Sequence, residues 1–261
     1  MYIPLTRIQK LVGQRMLKSK LTKPCFYIES KADVTEMMAL RPVLSKSLGT
    51  KITSNAFLIR ALALAAKKYP IMLGTLITCD PQARLCQKHE SSPAINCGAK
   101  YLACGFTAGS QIKVANAINL PYVRQINVAF PVHAPQGLVV PVIKDADRKP
   151  LVEIARLEKL LTDKARSNTL TLEQMQGQTI GLSNLGVYGI DSFLAIPALV
   201  ASAILAVGNV IRTVVPHNSE VTVRKMMSLS LAVDRIVSDE VYAAQFLQFI
   251  IEQLQNPQQL I

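Results

Sequence analysis

Tryptophan is missing from this 261-residue chain, aromatic residues make up only 5% of it, and histidine occurs three times. So few rings argue against a nucleic-acid surface built on base stacking, although 29 basic against 17 acidic residues give a formal charge of +12. The basic residues are dispersed over helical stretches such as 18–23, 67–68 and 159–166, which reads as a solvated surface suited to anionic ligands or acidic partners. No apolar run approaches the roughly 18 residues of a membrane span. The opening Met1-Tyr2-Ile3-Pro4 lacks the basic-then-apolar layout of a secretory leader. The expectation is a soluble intracellular protein with no nucleic-acid and no membrane partner.

Cysteine is scarce outside one segment. Of five, Cys79, Cys86, Cys97 and Cys104 fall between residues 73 and 124, with six residues inside each outer pair and His89 nearby. Structural zinc sites favour closer pairs, with about two to four residues between the first two ligands. Reduced thiols in a loop-rich insertion are therefore the favoured reading and no metal is expected; a metal site is the alternative. Cys25 reads as a small buried residue rather than a nucleophile.

At 50% hydrophobic, the chain is long enough for one large core, and nothing in it marks a second domain. Asp33-Val34-Thr35-Glu36 has the form of a capping box opening a helix that runs to about Leu48 and stops at Gly49. Ser54 is expected to cap a second helix, with Phe57, Leu58, Ala61, Leu62 and Ala65 on one face and Lys67-Lys68 at its end. The stretch 73–124 breaks the periodicity. Strand patterns at 126–132 and 138–143 flank Pro135-Gln136-Gly137, a hairpin turn. A helix over 150–165 carries Pro150 at its first turn. Strands follow at 179–183, 203–211 and 221–233, and a last helix at 239–254 stops before Pro257. Without regular β-α-β alternation, this order points to an α+β two-layer sandwich rather than a doubly wound sheet.

Several segments carry a more specific signal. Asp234-Arg235-Ile236-Val237-Ser238-Asp239-Glu240 follows a strand and opens the last helix. Without a gap, it resembles the D-H-R-x-x-D-G signature of dihydrolipoamide acyltransferases, the catalytic cores of the 2-oxo acid dehydrogenase complexes. Arg235 stands at the histidine, Ile236 at the arginine and Glu240 at the glycine; the two aspartates are kept. Lys23-Pro24-Cys25-Phe26-Tyr27 is similar to the family's P-H-F/Y step, with Cys25 in place of histidine. Gln136 to Asp147 is similar to its G-L-x-x-P-V-x-x-x-A-D hairpin, and Gly181-Leu182-Ser183-Asn184-Leu185-Gly186 to its S-N-L-G turn. Ala203-Ile204-Leu205-Ala206-Val207-Gly208 is similar to its A-I-L-A-V-G strand, and Ala198-Leu199-Val200-Ala201 stands where the family has N-P-P-Q.

The resemblance implies a fold like that of chloramphenicol acetyltransferase: a mixed sheet flanked by helices, assembled as a trimer with active sites in channels between subunits. It implies coenzyme A and dihydrolipoamide as substrates, with no group bound covalently. It also implies other dehydrogenase-complex subunits as partners. Lipoyl and peripheral-subunit-binding domains usually lie upstream in the family, and none is found within this chain, expected to be one core domain over 1–261 with an insertion at about 73–124. The compartment expected is the bacterial cytoplasm, or the mitochondrial matrix for a trimmed eukaryotic chain.

In the family the signature histidine takes the attacking thiol's proton, and the hydroxyl matched by Ser183 holds the oxyanion from the neighbouring subunit. Ser183 is otherwise a turn hydroxyl bonded to its own backbone. Asp239 either orients the site or only caps the last helix. Arg235 cannot act as the base, because a guanidinium has five donors and no acceptor. Loss of Gly at position 240 puts the local turn in doubt. The chain is therefore closest in character to the family's non-catalytic paralogues, such as the dihydrolipoamide dehydrogenase-binding proteins. Its expected role is assembly, as a homotrimer or in a mixed trimer with a histidine-bearing paralogue. The alternative is an active transferase that recruits another base, such as His133.

Overall fold

The computed structural model describes residues 7–77, 117–119, 125–135, 137–217 and 220–261. Cys79, Cys86, His89, Cys97 and Cys104, with most of the segment read as an insertion, lie outside the described residues.

Helix α1 (Arg7–Thr22) precedes β1 (Cys25–Asp33), α2 (Thr35–Ser47) and α3 (Ser54–Lys68). Strands β2 (Thr75–Ile77) and β3 (Ala117–Asn119) pair with each other. Short strands β4 (Val128–Ala129), β5 (Val132–Ala134), β6 (Gly137–Val139) and β7 (Val142–Ile143) follow. Helix α4 (Leu151–Arg166), β8 (Ile180–Asn184), the long hairpin β9 (Ala203–His217) and β10 (Glu220–Asp234), and α5 (Glu240–Gln255) complete the order.

Among the described residues, six strands make one mixed sheet in the order β1-β10-β9-β8-β4-β7. β10 is antiparallel to both β1 and β9, whereas β8 is parallel to β9 and β4. Helices α3 and α5 pack on one face, with Phe57 and Phe246 fully buried between the layers. Period-two alternation turns Leu182, Leu205, Leu229, Leu231 and Val233 onto that face. The opposite face carries Ser183, Ala206, Ser230, Ala232 and Asp234, and α1 reaches Tyr27 on it through Lys20 at 3.3 Å. This is the expected two-layer α+β arrangement, with a mixed sheet under helices.

Local details depart from expectation for identifiable reasons. The capping box at Asp33 does not form: Asp33 Oδ1 accepts from Thr35 N at 2.9 Å and from Thr35 Oγ1 at 2.6 Å, and Val34 is the residue before the helix. Arg224, two residues along β10 from the partner of Asp33, draws that carboxylate at 2.6 Å and Glu36 at 3.6 Å. Thr53, not Ser54, caps α3, accepting from Ala56 N at 3.0 Å. Pro150 precedes α4 rather than lying in its first turn, and the 126–132 strand is split into β4 and β5 around Phe130-Pro131. Helix α1 extends the helical stretch read at 18–23 back to Arg7, and β9 runs beyond 211 because it continues as a two-stranded ribbon with β10. A hairpin forms between β5 and β6, with Gly137 at φ +124°, but the strand expected at 138–143 is split too, and its second part, β7, pairs with β4 in the main sheet.

Among the described glycines, Gly208 has the least room for a side chain. A Cβ there would fall inside the Asp191 carbonyl, where Asn209 N already donates to Ile190 O at 2.7 Å. The neighbour is backbone, so it cannot swing aside. Gly208→Ala is therefore expected to lower stability by about 3 kcal/mol, whereas Gly13→Ala, on an open helix face, should raise it by up to about 1 kcal/mol. Urea unfolding of the two variants checks both; equal midpoints would contradict the close approach.

Candidate active site

The signature loop is held by its two aspartates. Asp234, only 4% exposed, donates through its N–H to Ser202 O at 2.8 Å. Its Oδ1 accepts from Ile236 N at 3.1 Å, and its carbonyl oxygen accepts from Val237 N and Ser238 N. Asp239 then caps α5, accepting from Tyr242 N at 2.8 Å. Between them, Arg235 N donates to Pro24 O at 3.1 Å, which fastens the loop to the start of β1.

The Arg235 guanidinium turns to Glu240, with Nε 2.8 Å from Oε1 and both side chains half-exposed. Such a pair adds only about 0–1 kcal/mol, although a carboxylate in the first turn of α5 is favoured by the helix dipole. Glu240 is the first helical residue and its φ is not positive, so this turn does not need the glycine's freedom. The expected disturbance at position 240 is thus absent.

Lys23, missed at the sequence level, organises the neighbouring segment. Its Nζ donates to Ala198 O at 2.9 Å and Ala201 O at 2.7 Å, holding the stretch that replaces N-P-P-Q. Burial pulls this ammonium down, against Asp234 and Cys25. Cys25 pairs across the sheet with Asp234. Burial pushes its thiol up and Asp234 adds to the effect, while Lys23 and Lys20 oppose it. That is the environment of an unreactive thiol, although Cys25 is of intermediate exposure and not buried as expected.

Ser183 lies half-buried on β8, and its hydroxyl bonds no described residue. The turn is tied instead by Asn184, whose Oδ1 accepts from Gly186 N at 2.9 Å and whose Nδ2 donates to Asn55 Oδ1 at 2.7 Å. Among the described residues, Ser183 makes no bond to the backbone of its own turn. The S-N-L-G pattern contained this answer, since an asparagine beside the serine is the stronger turn-former.

The sheet register keeps Ser183 and Arg235 apart. Ser183 pairs with Ala206, and Ala206 with Ser230, four residues before Asp234. Two strand spacings across and four residues along amount to roughly 17 Å. An oxyanion donor must lie about 3 Å from the developing charge, so the two residues of one chain cannot act on one carbonyl. His133 sits exposed on the separate β5–β6 hairpin, outside this loop. His217 ends β9.

Residues 1–97 and 110–261 match the sequence model of the 2-oxoacid dehydrogenases acyltransferase (catalytic domain) family. The chain belongs to that family. The stretch passed over, 98–109, lies inside the segment read as an insertion. Among relatives, the dihydrolipoyllysine-residue acetyltransferase component of the Rickettsia prowazekii pyruvate dehydrogenase complex is 29% identical over 259 residues, 98% of this chain and 54% of that protein. The mitochondrial pyruvate dehydrogenase protein X component of Mus musculus is 29% identical over 264 residues, 99% of this chain and 44% of that protein. This chain spans about half the length of the curated relatives it matches. Among solved structures, Azotobacter vinelandii dihydrolipoamide acetyltransferase superposes with a TM-score of 0.80 at 25% identity, over 100% of this chain and 93% of that one. That structure was determined to investigate a serine, a histidine and an asparagine in its catalytic mechanism.

If Asp239 only caps α5, Asp239→Ala should lower stability by about 1 kcal/mol while Asp239→Asn, an equally good cap, leaves it nearly unchanged. Thermal unfolding of the two variants checks this. An Asn variant as unstable as the Ala variant would show that the charge matters beyond capping.

Proposed function

We propose that this chain is an acyltransferase-type core subunit of a pyruvate dehydrogenase-type complex, impaired in catalysis and acting in assembly. The observation that supports this most is Arg235. The resemblance sets it at the family's histidine; it has no acceptor nitrogen and is paired with Glu240. Transfer of an acyl group between a dihydrolipoyl thiol and coenzyme A requires the attacking thiol to give up its proton, and this loop carries no imidazole, while its carboxylates are engaged, Asp234 with Ile236 N, Asp239 with Tyr242 N and Glu240 with Arg235. The loss of a general base typically slows a reaction about 10²- to 10⁴-fold. A free thiol with a pKa of about 8.5 still supplies some thiolate at neutral pH, so trace transfer is consistent with the proposal.

The similarity to a protein X component as well as to acetyltransferase components fits a partner role. The chain would form homotrimers, or mixed trimers with a histidine-bearing paralogue, beside the other subunits of the complex. Its compartment would follow its source: the bacterial cytoplasm or the mitochondrial matrix. Coenzyme A and dihydrolipoamide remain the substrates of the channels it helps to build. The separation of Ser183 from Arg235 supports channels composed from two chains, with Ser183 facing the histidine of a paralogue.

Assayed alone for acetyl transfer between dihydrolipoamide and acetyl-coenzyme A, the protein should be at least about 10²-fold slower than an active homologue. Arg235→His should not fully restore the rate, because Ile236 and Glu240 also differ from the signature. Wild-type turnover within tenfold of an active homologue would overturn the proposal.

In mixed trimers with a histidine-bearing paralogue, active sites should track the paralogue's share. Ser183→Ala should slow the channels it faces by about 10²- to 10³-fold, the cost of one oxyanion donor. A mixed particle indifferent to Ser183→Ala would leave this chain as scaffold only.

A further inference from the structure

The ribbon of β9 and β10 continues past the strands that flank it, and its two outer edges differ. β1 pairs with β10 only as far as Asp33 and Met226. One residue further, the turn into α2 takes its place: Lys225 N donates to Thr35 Oγ1 at 2.8 Å, and Lys225 O accepts from Val34 N at 2.8 Å. Lys225 therefore points both backbone groups away from β9. These directions alternate along a strand, so Val223 and Val221 point theirs the same way. Pro216 fits this assignment, because it stands opposite Val221, where the ladder between β9 and β10 asks for no N–H.

Among the described residues, nothing pairs with this side of residues 220–224. The side chains there are those of a covered strand. Val221 is 78% exposed and Val223 62%, and Val214, the cross-strand partner of Val223, is 65% exposed. Strand edges that stay single are guarded by lysine, proline or a bulge. The β9 edge has Pro216, but residues 220–224 have no proline and no register shift. Their one basic side chain, Arg224, is drawn back to Asp33 at 2.6 Å and Glu36 at 3.6 Å.

This edge is complementary to itself. Laid antiparallel about Thr222, two copies set Val221 of each against Val223 of the other, and the exposed Glu220 of each against Arg224 of the other. Valines then meet on one face of the ribbon and opposite charges on the other. Each Val221–Val223 pair joins residues whose backbone groups point outward, so it exchanges both of its N–H···O bonds. A shift by one residue would set outward groups against inward ones and lose them.

We propose that residues 220–224 of β10 are an interaction edge to which a second copy of this chain adds an antiparallel strand, joining two sheets across a two-fold axis at Thr222. The contact is isologous, so it joins whole oligomers in pairs and does not close a trimer. It depends on neither Ser183 nor Arg235.

Sedimentation of the full chain over a concentration series tests this. The wild type should reach a mass that contains an even number of chains. Val223→Pro keeps the ladder to β9, since its N–H points outward, but removes one donor from each half of the contact, so pairing should need about tenfold more protein. Val223→Lys places a charge at an exposed position, makes no demand on the backbone, and should weaken pairing at least as much. Val214→Lys puts the same charge on the same face but off the edge, and should leave the mass unchanged. A wild type that never pairs, or pairing that survives Val223→Lys, overturns the proposal. Equal loss in Val214→Lys also overturns it, because the ribbon's face and not its edge would then be the contact.

Discussion

The pairing of β10 with β1 on one side and β9 on the other is the constraint on which the arrangement depends. Because side chains alternate with period two, that double register decides at once which residues meet the helices and which meet the other face. It buries Leu229, Leu231 and Val233 under α3 and α5, and it places Ser230, Ala232 and Asp234 behind the sheet. Asp234 ends the strand opposite Cys25 and starts the signature loop, so the loop's position follows from the same register. A slip by one residue would send the leucines outward and carry Asp234 away from Ser202.

Much of the fold was legible because its signals are local. The stop of α2 at Gly49, the hairpin turn before Gly137 and the start of α5 at Asp239 each rest on a few adjacent residues. What sequence reasoning missed depends on partners far along the chain. At Asp33 the carboxylate accepts from Thr35 and from Arg224 across the sheet in place of the bond a capping box would make. Helix α1 has little apolar periodicity, and Ser19 is buried there by donating to Pro197 O at 2.7 Å, a bond no local pattern announces. In the site, the substituted signature was visible from residue types alone. The clamp of Lys23 on Ala198 and Ala201 was not, because it joins segments some 175 residues apart.

The bonds that hold the signature loop also explain how its shape tolerates substitution. Its shape comes from Asp234, from the cap at Asp239 and from the main-chain bond of Arg235 to Pro24. None of these uses the side chain at 235, 236 or 240. A half-exposed ion pair between Arg235 and Glu240 adds little stability, yet it occupies the guanidinium and directs it along the start of α5. Chemistry at this loop can therefore change with little cost to the fold, in contrast to Gly208, where one methyl group would collide with backbone.

The two halves of the candidate site are held by separate sets of bonds. The loop depends on Asp234, Asp239 and the segment clasped by Lys23; the Ser183 turn depends on Asn184, Asn55 and the start of α3. Neither set includes a residue of the other, and the sheet keeps them about 17 Å apart. Such a division would let the side chains at one end change without disturbing the bonds that hold the other. Under the function proposed above, the consequence would be directional: in a particle whose channels are built from two chains, the channel containing this loop would be silent and the one receiving Ser183 intact.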